Sequence, residues 1–316
     1  MVTLSLSKMR YDITMPIIDG RIGVDGVTFE QRADNPMVMG DVPALRTGDF
    51  GLWDLNLGYW LNGIEAGWDF VTLPLFIKRK SVLQIIWARS DIKSPQELNG
   101  KRVGSRSFRT ANTIWARGLL GEHYGVDTQS LTWAVQTKEH FPQHTPANIE
   151  QIDPKASLSD LLIAGEIDAM ITDISDGQLW QRLESHPTIH RLIPDYRSED
   201  LRLHREAGIF PVMHLLVMGG PVARANPDLP RKIYDAFEKA KSVAYQDTLN
   251  DRSGLTLVDL REQFVAQQTA WGDPWVYGIK ANRRMIDAFM RYNIDEGAIK
   301  EPLSDARIFA AGTLDT

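Results

Sequence analysis

Three observations predict an α/β protein of two lobes. The 316 residues exceed what one hydrophobic core usually organises, so the chain should divide. Apolar runs of strand length alternate with stretches of helical period along most of the sequence. No internal repeat and no low-complexity linker interrupts them, so crossing strands should join the lobes. Each lobe is then a mostly parallel sheet flanked by helices, with the ligand cleft between lobes at strand carboxyl ends. Joints near Lys78–Leu83 and Glu206–Pro211 give residues 1–80 plus 208–316 as a discontinuous lobe 1 and residues 81–207 as lobe 2.

The elements follow in order. Leu4–Pro16 alternates apolar and polar residues as a strand does, and a Gly/Asp turn separates it from a second strand, Gly26–Gln31. Asp49–Leu57 reads as a buried strand entering a helical run, Gly58–Ala66, and Phe70–Phe76 is a further apolar run broken by Pro74. Ser81–Ala88 is an apolar run of the kind that parallel sheets bury on both faces. A helical turn at Pro95–Leu98 precedes strand Arg102–Gly104 and a helix starting near Thr110. Beyond it come strand Thr132–Ala134, helix Ser157–Ala164, strand Ile167–Thr172, helix Leu179–Glu184 and the extended Ile189–Ile193. Gly208–Met218 is the longest apolar run, and Pro211 holds the residue before it extended. Pro230–Gln246, Arg261–Thr269 and Asn282–Tyr292 are helical, the last two joined by the aromatic stretch Thr269–Gly278.

Composition excludes several function classes. With 43% hydrophobic and 24% charged residues the chain is an ordinary globular one, not a disordered one. Its net charge of −6 argues against a general nucleic-acid binder, which needs a basic face. There is no cysteine, hence no disulfide and no thiolate metal site. Residues 1–20 hold neither a signal-peptide core nor a membrane span, so the expected setting is cytoplasmic, with no membrane partner. His140 and His144 straddle Pro142, which spoils the helical spacing of a two-histidine metal site, and no metal is expected.

The most informative segment is Lys101–Leu120. From Lys78 to Gly118 there are ten Lys/Arg against two acids, a local balance of +8 in a chain of negative total. A helix N-terminus offers unpaired amides and a partial positive charge, which together favour an anion. Ser105, Ser107 and Thr110 can cap the helix or donate to a ligand, and Arg106 and Arg109 can form two-pronged pairs with a carboxylate. The segment therefore predicts a carboxylate trap, against the plainer reading of a well-capped surface helix. Arg79 lies in a charge run at the joint, where it can assist or simply be solvated.

Asp54 is an acid inside the apolar FGLWDLNLG and needs a partner or a capping role. Asp173 and Asp176 follow a strand, at the carboxyl end where ligands gather, or shape a turn. His214, within GIFPVMHLLVM, is either a satisfied core histidine or, near a cleft, the natural proton carrier at neutral pH. Trp53, Trp60, Trp115 and Tyr59 are core residues or an aromatic wall for a ring substrate.

Eight fragments in order then point to a family: GRIGVDGVTF (Gly20–Phe29), the spacing from Phe76 to Asp91, SPQELNGKRVG (Ser94–Gly104), TIWARGLLGEHYGV (Thr113–Val126), GEIDAMI (Gly165–Ile171), RLIPDY (Arg191–Tyr196), GIFPVMH (Gly208–His214) and WGDPWVYGIKANR (Trp271–Arg283). Through them the chain resembles the 4,5-dihydroxyphthalate decarboxylases, which are similar in fold to type II periplasmic binding proteins. The resemblance also exposes departures. Val82 and Leu83 stand where the family carries an Arg-His pair, and SRSFRTA (Ser105–Ala111) adds two arginines to the family's loop.

The family's reaction implies three tasks: hold a carboxylate, accept a phenol proton and deliver a proton to the ring carbon that loses CO₂. For the first task the arginines at a helix start point to Ser105, Arg106, Arg109 and Thr110 as carboxylate binders, with Arg79 assisting from the joint and Asp173 as a further substrate contact. His214 becomes the acid/base, with Asp54 as its orienting partner or as the phenol-proton acceptor. No organic cofactor is required, the partner is a small aromatic carboxylate, and a homo-oligomer is implied. The rival reading is a non-catalytic binding protein for an aromatic or small carboxylate, since the fold serves both uses.

Overall fold

The computed structural model describes residues 1–7, 9–32, 42–138, 141, 146–172, 177–250, 252 and 254–316. The chain forms two compact units, each built on a sheet flanked by helices. Unit 1 comprises Met1–Arg79, Val212–Ile286 and Leu303–Thr316, and unit 2 comprises Lys80–Pro211 and Asp287–Pro302. The α/β expectation of mostly parallel sheets is met, each sheet being mixed through a single reversed strand.

In unit 1 the strands are β1 (Val2–Leu6), β2 (Val27–Gln31), β3 (Leu52–Asn56), β4 (Phe70–Arg79) and β11 (Val212–Gly219), in the order β2-β1-β3-β11-β4. β1 pairs in parallel with β2 and β3, while β11 runs antiparallel between β3 and β4. Leu4, Leu6, Leu52, Leu216 and Met218 from this sheet pack with Ile233 and Phe237 of the helix Leu229–Leu249. The opening strand is shorter than its alternation predicts. Residues after Leu6 turn instead into a 3₁₀ turn, Asp12–Thr14, and a short helix, Met15–Ile18, with Pro16 in its first turn where a missing N–H costs nothing.

Pro74 does not break β4. The register against β11 slips between His214, opposite Lys78, and Leu216, opposite Leu73, so the proline lies in a stretch without regular ladder donors. Its carbonyl instead accepts from Gly278 N–H at 2.9 Å.

In unit 2 the order is β10-β5-β9-β6-β7-β8, with β5 (Ile86–Arg89), β6 (Arg102–Ser105), β7 (Thr132–Val135), β8 (Ile149–Gln151), β9 (Ala169–Ile171) and β10 (Ile189–Arg191). β9, β6, β7 and β8 are parallel, while β5 is antiparallel to β9 and β10. The predicted strand Ser81–Ala88 is mostly a 3₁₀ turn, Leu83–Ile85, followed by β5. Its apolar run reflects burial instead, for Val82, Leu83, Ile85 and Ile86 are all enclosed.

The tail also departs from the predicted boundary. Helix Arg283–Asp295 begins in unit 1, but Asp287–Pro302 belongs to unit 2 rather than to lobe 1, and the chain returns to unit 1 at Leu303. Phe289 and Tyr292 pack on Trp115 of the helix Ala111–Tyr124, with ring centroids 5.1 and 5.8 Å away. Glu296, also in unit 2, pairs with the buried Arg117 at 2.6 Å.

Candidate active site

In both units polar side chains gather where parallel strands end. In unit 1, Ser7 follows β1, and Asp54 and Asn56 lie at the end of β3. The neighbouring antiparallel β11 places His214 opposite Asn56. Asp54 is only 5% exposed, an expensive place for a carboxylate unless it is hydrogen-bonded. It is fully engaged. Oδ1 meets His214 Nδ1 at 2.5 Å, and Oδ2 accepts from the Tyr11 hydroxyl at 2.7 Å. The Asp54 backbone N–H donates to Ser7 Oγ at 2.8 Å. His214 Nε2 lies 3.4 Å from Asn56 Nδ2, and the imidazole keeps partial exposure. Burial, followed by the neighbouring Asp54 charge, pushes the Tyr11 hydroxyl far above its usual range, so it donates at any working pH.

Of the sequence-derived candidates, Asp54 and His214 are thus brought together. Tyr11 and Ser7 were missed, and no local signal links them to an acid more than 40 residues away. Arg79 is buried in the same unit. Its guanidinium donates to Val276 O at 3.3 Å and to Asn282 Oδ1, and burial pushes it down to about 10.

Unit 2 carries a cavity of about 650 Å³ at the ends of three parallel strands. Arg106, Gln136 and Thr172, the residues immediately after β6, β7 and β9, line it together with Ser157, Ser159 and Gln178. Thr137 N–H and the Gln136 N–H both donate to Arg106 O, at 2.9 and 3.2 Å, which pins the loop. The Arg106 side chain is exposed and has no hydrogen-bond partner among the described residues. Gln136, Thr172 and the two serines were not singled out from sequence, though each is a polar residue directly after an apolar strand or opening a helix.

The other basic and hydroxyl residues of this segment have structural partners. Ser105 is buried and donates to Ser107 O at 3.2 Å. Thr110 is the N-cap of Ala111–Tyr124, accepting from Thr113 N–H in a capping box. Arg109 is buried and donates to Phe141 O at 3.3 Å. Arg117 lies 3.6 Å over the Phe108 ring besides pairing with Glu296. Asp173, Asp176, His140 and His144 lie outside the described residues. Trp53, Trp60 and Trp115 are fully enclosed core residues, so they form no wall for a ring. Among the described residues no three His, Asp or Glu side chains group so as to hold a metal ion, and no helix is long and apolar enough to cross a membrane.

Two sheets flanked by helices, each with polar groups at its strand ends, define the class: the fold of the periplasmic binding proteins. A sulfonate-binding protein from Methylobacillus flagellatus superposes with a TM-score of 0.55 at 10% identity, covering 97% of this chain and 91% of that one. The desulfurization enzyme DSZB superposes at 0.51 with 13% identity, covering 100% and 98%. These likenesses establish the fold alone.

Sequence comparison is more particular. The chain is 29% identical to a 4,5-dihydroxyphthalate decarboxylase of Comamonas testosteroni over 99% of its length and 98% of that protein's. It is 26% identical to one of Pseudomonas putida over 61% of its length and 78% of that protein's. The resemblance read from the eight fragments therefore holds along nearly the whole chain. No family model matches it.

Proposed function

We propose that the protein is a decarboxylase of a hydroxylated aromatic carboxylate, 4,5-dihydroxyphthalate or a close relative. The observation that carries this reading is the Asp54–His214 pair, a buried carboxylate against a partly exposed imidazole, held at strand ends in a chain similar throughout to proteins of that name. A carboxylate on a ring departs when its carbon is protonated and a para hydroxyl, ionised by giving its proton to solvent and reprotonated from solvent after CO₂ leaves, supplies electron density. His214 in its imidazolium form delivers the proton from Nε2 to that carbon. The carbon–carbon bond breaks, its electron pair restores the ring, CO₂ leaves, and solvent returns the proton to His214. Each turnover consumes one proton and needs no organic cofactor.

Both oxygens of Asp54 are engaged, which favours orienting His214 over accepting the phenol proton. Arg106 takes a carboxylate, since its charge faces a cavity lined by polar and apolar side chains while its loop is fixed. Ser105, Arg109 and Thr110 act through the loop and helix start they hold, and Arg79 through Asn282 and Val276. Asp173 remains a proposed contact on sequence grounds. A cytoplasmic setting and a homo-oligomer complete the reading; cell fractionation and light scattering check them.

The deciding assay incubates the protein with hydroxylated benzoates and phthalates, following CO₂ release and thermal shift together. CO₂ release that His214→Asn abolishes, with the thermal shift retained, is the expected result. One observation favours the rival binding protein: Val82 and Leu83 are enclosed in the core, where the resemblance leads one to look for an Arg-His pair. Stabilisation by a ring acid with no CO₂ from any substrate would decide for that rival.

A further inference from the structure

Tyr11 has no part in the chemistry above, yet its hydroxyl begins a three-residue chain that ends at the proton-carrying atom. Its O–H donates to Asp54 Oδ2 at 2.7 Å, and Asp54 Oδ1 faces His214 Nδ1 at 2.5 Å. An ionised carboxylate only accepts, so Nδ1 carries a proton and Nε2 is the ring's variable site. Ser7 Oγ holds the Asp54 backbone N–H and so fixes the strand that presents the carboxylate. A carboxylate that already accepts a strong hydrogen bond attracts a neighbouring cation less than a bare one does.

We infer that Tyr11 is a positioning residue: its hydroxyl holds the Asp54 carboxylate against Nδ1 and, by sharing its charge, lets the His214 imidazolium give up the Nε2 proton more readily. The other titratable groups on the bordering elements are Lys78, opposite His214 on β4, Arg79 at the end of the same strand, Tyr59 in the turn after β3, and Arg10 and Asp12 flanking Tyr11. Asp12 accepts from Ile13 N–H at 2.9 Å. All of these are unchanged by a substitution at Tyr11, so a comparison with the parent isolates the one hydroxyl.

The kinetic half of this inference rests on the proposed reaction, and the spectroscopic half does not. The test is nitrogen-15 NMR of labelled histidine in the full chain, comparing the parent with Tyr11→Phe. The expected spectra show the Nδ1-protonated tautomer in both. The His214 titration midpoint should rise by about half a pH unit in the variant, because the Asp54 carboxylate then draws harder on the imidazolium. An unmoved or lowered midpoint overturns the role. Replacing Tyr11 with 3-fluorotyrosine, a stronger donor of the same shape, should move the midpoint down; this second arm decides the matter if Tyr11→Phe fails to fold, and no shift there overturns the role. In turnover, the alkaline limb of kcat should follow the midpoint while KM stays put. A moved midpoint without CO₂ from any substrate would uphold Tyr11 and overturn the reaction, and turnover with an unmoved midpoint would do the reverse.

Discussion

The two sheets finish their parallel strands in contrasting ways. In unit 1 the polar groups answer one another: Tyr11, Asp54 and His214 form a closed chain in which only Nε2 has a loose contact. In unit 2 the strand ends open on a cavity of mixed polar and apolar lining, and the guanidinium of Arg106 faces it without a partner among the described residues. Proton transfer gains from groups oriented before the substrate arrives, whereas anion capture requires a charge not already neutralised. The same contrast separates arginines a few residues apart. Arg117 is buried against Glu296, and Arg109 is buried with Phe141 O, while Arg106 is exposed.

Several substitutions would break or sharpen this contrast. Asp54→Asn should lower kcat by about 10²–10⁴-fold, with ligand affinity retained, because an amide cannot hold the imidazole as a carboxylate does; isothermal titration beside the turnover assay separates the two effects. Arg117→Ala leaves the largely enclosed Glu296 uncompensated, so thermal melting should show a loss of about 3 kcal/mol. Arg106→Ala should change stability by no more than about 0.5 kcal/mol. It should weaken binding of a ring carboxylate by about tenfold, corresponding to one charge-assisted hydrogen bond, and unchanged affinity would remove Arg106 from the site.

Asp200 gives a pH signature to unit 2. It is buried beside Ser81 on helix Tyr196–Ala207, and burial pushes its carboxyl up to about 7. The folded state thus holds a proton that the unfolded chain releases near its ordinary value. Stability should fall as pH rises from about 4 to about 7 and level off above. Asp200→Asn should remove that slope, raising stability by about 1–3 kcal/mol at pH 8 and by little near pH 4, as read from urea melts. The smallest effect is expected from Thr110→Ala, about 1 kcal/mol for a lost cap.

Much of the fold was legible because its signals are local. Apolar runs gave most strands, and periodicity gave Leu229–Leu249 within a few residues. The helix Tyr196–Ala207 escaped because YRSEDLRLHREA is nearly all polar, with only Asp200 and Leu203 buried. Asp54 stood out as an acid in an apolar run, and the reason it is tolerated came only with Tyr11 and His214 beside it. Arg106, Arg109 and Arg117 look alike in sequence. Their fates diverge because Phe141, Phe108 and Glu296 reach two of them, and those contacts are made by tertiary packing.

Gly118 has a bearing on how the protein is made. A methyl group there would sit 2.1 Å from the Tyr292 ring, so the face of helix Ala111–Tyr124 is shaped to receive a segment translated more than 150 residues later. Tyr292 also donates to Glu122 at 2.6 Å on the same helix. A ribosome that has made residues 1–286 has therefore delivered neither unit whole, since unit 2 awaits Asp287–Pro302 and unit 1 awaits Leu303–Thr316. Unit 2 is whole once Pro302 has been made, before unit 1 receives Leu303–Thr316, so the unit begun first is completed last.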